Sequence, residues 1–74
     1  MSFPQELRTR RIAAGLTQQQ LSEHIGVRQS VISLYEKGIN VPSLDVLIKM
    51  ADTLNCTIDD LVRNGQRIPG VEAV

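Results

Sequence analysis

The chain has no tryptophan, one tyrosine, one phenylalanine and one cysteine. With so few aromatics it offers no platform on which single-stranded bases could stack. One thiol cannot build a disulfide framework, so Cys56 is read as a small apolar residue suited to a reducing compartment. No apolar run approaches the ~20 residues of a membrane span. The first residues (Met1, Ser2, Phe3, Pro4, Gln5, Glu6) lack the charged-then-apolar layout of a secretion signal. The expectation is a soluble, cytoplasmic protein. Charge of one sign is also missing: eight basic residues stand against eight acidic ones. This argues against a strongly non-specific polyanion binder, which is usually basic. His24 has no second His or Cys at ligand spacing and is read as solvent-facing. Ser30 has neither a neighbouring base nor a glycine elbow. Without paired carboxylates, a nucleophile constellation or a ligand cluster, no enzyme activity, metal or cofactor is expected.

The 74 residues present suffice for a single domain with a small core. Charge is distributed unevenly. Residues 1–38 carry Arg8, Arg10, Arg11, Arg28 and Lys37 against Glu6, Glu23 and Glu36, a net of +2. Residues 39–74 carry Lys49, Arg63 and Arg67 against Asp45, Asp52, Asp59, Asp60 and Glu72, a net of −2. A polyanion would therefore meet the N-terminal half.

Apolar residues recur at three- and four-residue spacing, and no segment alternates long enough for a strand, so the expected class is all-α with five helices. The first spans about 4–14, with Ser2 and Gln5 as a capping box, Phe3, Leu7 and Ile12 inward, and Gly15 as its stop. The second opens at the Thr17–Gln20 capping box, buries Leu21 and Ile25, and ends at Gly26. The third covers about 28–37, with Val27, Ile32 and Tyr35 as apolar contacts and Gly38 at its end. Ser43 caps the fourth, whose core stripe is Leu44, Leu47, Ile48, Ala51 and Leu54, with Asn55 as the left-handed stop. Thr57 and Asp60 open a short fifth helix with Ile58, Leu61 and Val62 as buried candidates, ending at Gly65. The domain is thus drawn as residues 4–65, and 66–74 as a tail or short arm.

Function is concentrated between Gln18 and Lys37. Two helices too short to bury a core alone are joined by a tight glycine turn and must cross steeply. Leu21, Ile25, Val27, Ile32 and Tyr35 serve the packing, and Ser22 fits at the closest approach. Left over on the third helix are Arg28, Gln29, Ser30, Ser33 and Leu34. A polar N-terminal end of this kind fits a helix that enters the DNA major groove. Arg and Gln make paired hydrogen bonds to guanine and adenine edges.

The sequence resembles the lambda-repressor-like, Cro-type (XRE family) helix-turn-helix domain. The resemblance runs from Leu7 to Gly65. It is carried by Arg11, Ile12, Ala13, Ala14, Gly15, Leu16, Thr17 and Gln18; by Leu21, Ser22, Glu23, His24, Ile25, Gly26 and Val27; and by Ile32, Ser33, Leu34, Tyr35, Glu36, Lys37 and Gly38. Pro42, Ser43, Leu44, Leu47, Ala51, Leu54, Asp59, Asp60 and Leu61 continue it. It implies a compact five-helix DNA-binding domain whose helices 2 and 3 form the helix-turn-helix.

The same resemblance implies that Gln18 contacts a phosphate and steadies a recognition-helix side chain, and that Gln29 and Ser30 read bases. Arg28 stands where the family often has a capping Ser or Thr. It either reads guanine or holds a phosphate. Ser33 and Leu34 extend the base-reading face, with a thymine methyl as a partner for Leu34. Arg10 and Lys37 are expected at phosphates, and Arg11 and Glu36 as an ion pair between helices 1 and 3. Val46 and Met50, off the main stripe, and Val62, Ile68 and Val71 suggest a surface for a second copy. The expected protein is a homodimeric regulator of transcription on an inverted-repeat site in double-stranded DNA, with repression as its expected action. Alternatives are an antitoxin with a toxin partner, a phage or restriction-modification controller, and an N-terminal fragment of a longer repressor.

Overall fold

A computed structural model describes residues 3–62. They form α1 (Phe3–Ala13), α2 (Gln18–Ile25), α3 (Gln29–Glu36), α4 (Leu44–Thr53) and α5 (Ile58–Val62), with no strand among the described residues. The expectations for Ser2, Gly65, Ile68, Val71 and the tail 66–74 lie outside that range.

The helix starts follow from local hydrogen bonding. Thr17 and Gln20 exchange two bonds: Gln20 N–H donates to Thr17 Oγ1 at 3.0 Å, and Thr17 N–H donates to Gln20 Oε1 at 2.9 Å. Thr57 and Asp60 repeat the arrangement at 3.0 Å in both directions. Ser43 Oγ accepts from Val46 N–H. Each bond satisfies a backbone donor that the first helical turn leaves unpaired. The ends share one device. The residue after a left-handed position donates its N–H five residues back: Leu16 to Arg11, Val27 to Ser22, Ile39 to Leu34 and Cys56 to Ala51, at 2.9–3.1 Å. At Gly26 the left-handed φ of +85° makes the turn between α2 and α3 short, and at 55 an asparagine adopts φ +56°.

The main packing pairs close a ring: α1 against α3, α3 against α2, α2 against α4, α4 against α5, and α5 back against α1. Inside the ring lie Phe3, Leu7, Leu21, Ile25, Ile32, Tyr35, Leu47, Met50, Leu54 and Leu61. Ser22 is the buried polar member. Its hydroxyl donates to Gln19 C=O at 2.7 Å, so the small side chain permits a close approach without stranding a polar group.

Three expected core assignments and one expected surface assignment are corrected. Ile12 is 57% exposed, Ile48 50% and Leu44 39%, whereas Met50 is fully buried. Helical positions advance by 100°. On α4 the directions of Leu47, Met50 and Ala51 define the core side, which leaves Leu44 and Ile48 at the edge of the arc. Val46 is only half-buried against the core. Ile12 lies one position beyond Arg11 and points to the open side of α1. No helix among the described residues is long and apolar enough to cross a membrane.

Candidate nucleic-acid interface

The first residues of the eight-residue helices α2 and α3, Gln18 and Gln29, are close enough for their side chains to bond, so the two helix starts share one side of the domain. Arg28 is the N-cap of α3, with extended backbone and no side-chain capping bond. Its C=O accepts from Val31 N–H at 3.0 Å, but its side chain covers none of the N–H groups that open α3, and such groups favour an anion. Arg28, Gln29 and Ser30 are all exposed. Ser33 and Leu34 are half-buried, so they form the inner margin of the face rather than its front. Lys37 caps the far end of α3 and is exposed. At ~1.5 Å rise per residue it stands about a dozen ångströms along the axis from Arg28.

A chain of side-chain bonds ties this face to the interior. Gln29 Nε2 donates to Gln18 Oε1 at 2.7 Å. Gln18 Nε2 donates to Glu36 Oε1 at 3.2 Å. Glu36 is held by Arg11, with Nε to Oε2 at 2.6 Å and Nη2 to Oε1 at 3.3 Å. Arg11 Nη1 also donates to Leu16 C=O at 2.8 Å. The ion pair is sheltered, with side-chain exposures of 12% for Arg11 and 6% for Glu36. The chain thus joins α1, α2 and α3 at one point. The bond between Gln18 and Glu36 is not legible in the sequence, since the residues are eighteen positions apart and neither type specifies the other. Beside the chain runs an open groove of about 580 Å³, lined among others by Ile12, Gly15, Thr17, Gln18, Gln19 and Gln29. Exposed Ile12 forms part of that wall, a role its apolar character conceals.

The structure does not bring Arg10 to this face. Arg10 Nε bonds Glu6 Oε1 at 2.9 Å. Its other surroundings are Ala13, Ala14, Thr53, Leu54 and Asn55. Arg10 is one position before Arg11, so the 100° step turns it from α3 towards α4 and α5. Arg10 therefore stands apart from the face that α2 and α3 form, paired with Glu6. Cys56, in the same neighbourhood, has its thiol pushed up, chiefly by burial, with Arg10 pulling down and Asp60 and Glu6 pushing up. His24 is exposed, and the described residues contain no cluster of three or more His, Cys, Asp or Glu able to hold a metal ion.

A helix-turn-helix family model, HTH_3, matches residues 7–61. The cryptic phage CTXphi transcriptional repressor RstR of Vibrio cholerae is 34% identical over 61 residues, covering 82% of this chain and 54% of the relative. The chain thus spans about half the length of that relative. Among solved structures, the P22 c2 repressor in complex with a synthetic operator superposes with a TM-score of 0.82 at 25% identity, covering 85% of this chain and 96% of that one. The restriction-modification controller protein C.AhdI of Aeromonas hydrophila gives 0.75 at 34% identity, covering 80% and 89%. With the family match spanning all of α2, α3 and α4, and Gln18 and Gln29 bonded at the starts of α2 and α3, the chain belongs to the HTH_3 helix-turn-helix family of XRE-type transcriptional regulators.

Proposed function

We propose that the protein is a cytoplasmic transcriptional regulator, acting as a repressor, that binds an inverted repeat in double-stranded DNA as a homodimer and carries out no catalytic step. The observation that carries the reading is the exposed row Arg28, Gln29 and Ser30 at the uncapped start of α3, with Gln29 braced by Gln18. In this reading α3 enters the major groove N-terminus first. Gln29 and Ser30 read base edges, while Arg28 takes either a guanine or a phosphate. Gln18 and Lys37 meet phosphates on either side, with the N-terminus of α3, which has no side-chain cap, assisting.

Dimerisation is supported by a set of apolar side chains that the fold leaves uncovered: Ile39, Val41, Leu44 and Ile48. Leu44 and Ile48 lie one turn apart on α4, and Asp45 and Lys49 beside them have opposite charge. A two-fold antiparallel meeting of α4 with its copy places Asp45 opposite Lys49 of the partner subunit while covering both apolar residues. This surface replaces the one expected from Met50, which is core. Two recognition helices then face half-sites whose centres are about 34–36 Å apart.

The likeness to C.AhdI, and to RstR, favours one second reading with the same biochemistry: a controller serving a restriction-modification or phage system. Selection of bound sequences from random duplex DNA, followed by a mobility-shift titration across salt, tests the proposal. It expects an inverted repeat and an affinity that falls steeply with salt. Enrichment of no sequence would refute specific reading.

A further inference from the structure

The side-chain chain from Arg11 to Gln29 has a direction, and chemistry fixes that direction at one end. A carboxylate accepts hydrogen bonds and cannot donate them. Glu36, already clasped by Arg11 at 2.6 Å, can therefore engage Gln18 only through the amide nitrogen, as observed at 3.2 Å. With its nitrogen turned to Glu36, Gln18 presents Oε1 towards α3, where it accepts from Gln29 Nε2 at 2.7 Å. One N–H of Gln29 is consumed. What Gln29 still offers outward is one acceptor, Oε1, beside one remaining N–H donor. An acceptor–donor pair complements adenine, which presents N7 as acceptor and N6 as donor. It does not complement guanine, whose N7 and O6 are both acceptors.

We infer that Glu36, anchored by Arg11, is a positioning residue that sets which way round the Gln18 and Gln29 amides sit, and thereby makes the base read by Gln29 an adenine. Glu36 does not touch DNA. It acts through two intervening amides from a site with 6% of its side chain exposed. A glutamine at 36 would present either an oxygen or a nitrogen to Gln18, and both amides beyond it would lose their enforced hand. The inference rests on the proposed reading of bases by Gln29.

The experiment measures affinity for the selected site and for the same site with adenine replaced by guanine at each half-site position, using wild type, Glu36→Gln, Gln18→Ala, the double variant and Gln29→Ala. Wild type prefers adenine. Glu36→Gln is expected to reduce the adenine-over-guanine ratio at one position per half-site by at least about fivefold, the lower end of what one bidentate contact discriminates. Gln18→Ala cuts the same chain from the exposed side and is expected to reduce the ratio similarly. The double variant should match Gln18→Ala alone, because Glu36 has no other route to the base. A purely structural Glu36 would lower the affinity for both sites equally and leave the ratio intact, which would overturn the inference. Should Glu36→Gln fail to fold, an unchanged ratio in Gln18→Ala overturns it equally. Gln29→Ala separates the two levels. If it leaves the ratio intact, base reading by Gln29 itself fails. If it abolishes the ratio while Glu36→Gln and Gln18→Ala preserve it, only the positioning role fails.

Discussion

Leu47 and Ile48 are neighbours in sequence and isomers in chemistry, yet Leu47 is fully buried and Ile48 half exposed. Truncating each to alanine isolates the effect of orientation. Leu47→Ala removes buried methyl groups from the centre of the helical ring and leaves a cavity, a change that costs about 2–5 kcal/mol. A folded unit of this size has a total stability of only about 3–9 kcal/mol. The variant should therefore lose about a fifth or more of its stability, with a melting temperature lower by about 8 °C or more. Ile48→Ala removes atoms already half in water and installs a better helix former, so the monomer should change by about 0.5 kcal/mol or less. Urea unfolding followed by circular dichroism reads both, provided the slope is unchanged. If Ile48 also sits in a dimer contact, its variant loses stability only at high protein concentration, where association contributes. Sedimentation velocity should show a lower mass for Ile48→Ala at micromolar concentration. The reasoning fails if Ile48→Ala is as damaging as Leu47→Ala in dilute solution, or if Leu47→Ala costs less than about 1 kcal/mol.

Glu36→Ala strands the Arg11 guanidinium, whose side chain is only 12% exposed, and the melting temperature should fall by several degrees, corresponding to about 1 kcal/mol or more. A change within about 1 °C in differential scanning calorimetry would remove the pair from the account of stability. Gln29→Ala should leave the melting temperature in place and shift base preference at one position per half-site, at a cost of about 1–3 kcal/mol in binding; uniform loss across all sequences would make Gln29 a backbone contact. The Cys56 thiol and the Tyr35 phenol are both pushed up, in each case chiefly by burial. A raised value in the folded state means that the folded protein keeps these protons longer than the unfolded chain does. Stability contributed in this way is complete below the ordinary thiol value of 9.0 and is lost as the pH climbs through the raised values. Urea midpoints should hold from pH 7 to pH 8 and decline in alkali; a Cys56→Ala variant should show a shallower decline.

What the sequence made legible was whatever short-range chemistry decides. Thr17 with Gln20 and Thr57 with Asp60 are capping boxes because hydroxyl and acceptor stand three residues apart, and both form as expected. Gly26 marks the turn because a left-handed residue is needed there. The exposed start of α3 was legible because Arg28, Gln29 and Ser30 interrupt an otherwise apolar period. Illegible was the rotation of each helix about its axis. Leu44, Leu47, Ile48 and Ala51 form an apolar arc that is continuous in sequence, and only the arrival of α2 and α5 decides that Met50 turns inward and Ile48 outward. Arg10 and Arg11 pose the same problem on α1. Both are arginines, one step apart, and which one meets α3 depends on a rotation of 100° that no pattern of charges encodes.

That rotation matters more for the site than for the core. A core tolerates exchange of one apolar face for another at the cost of a cavity or some strain. A hydrogen-bonded chain does not, because each bond must meet a donor with an acceptor. The chain from Arg11 to Gln29 begins on α1, crosses Glu36 of α3 and Gln18 of α2, and returns to the first residue of α3. Its geometry holds only if all three helices are correctly turned. A sheltered ion pair at its root is weak as a source of stability, since the desolvation of two charges offsets much of their attraction. Its effect is better sought in specificity. By making one link acceptor-only, it converts the packing of the helices into a fixed orientation of the amide that faces the groove.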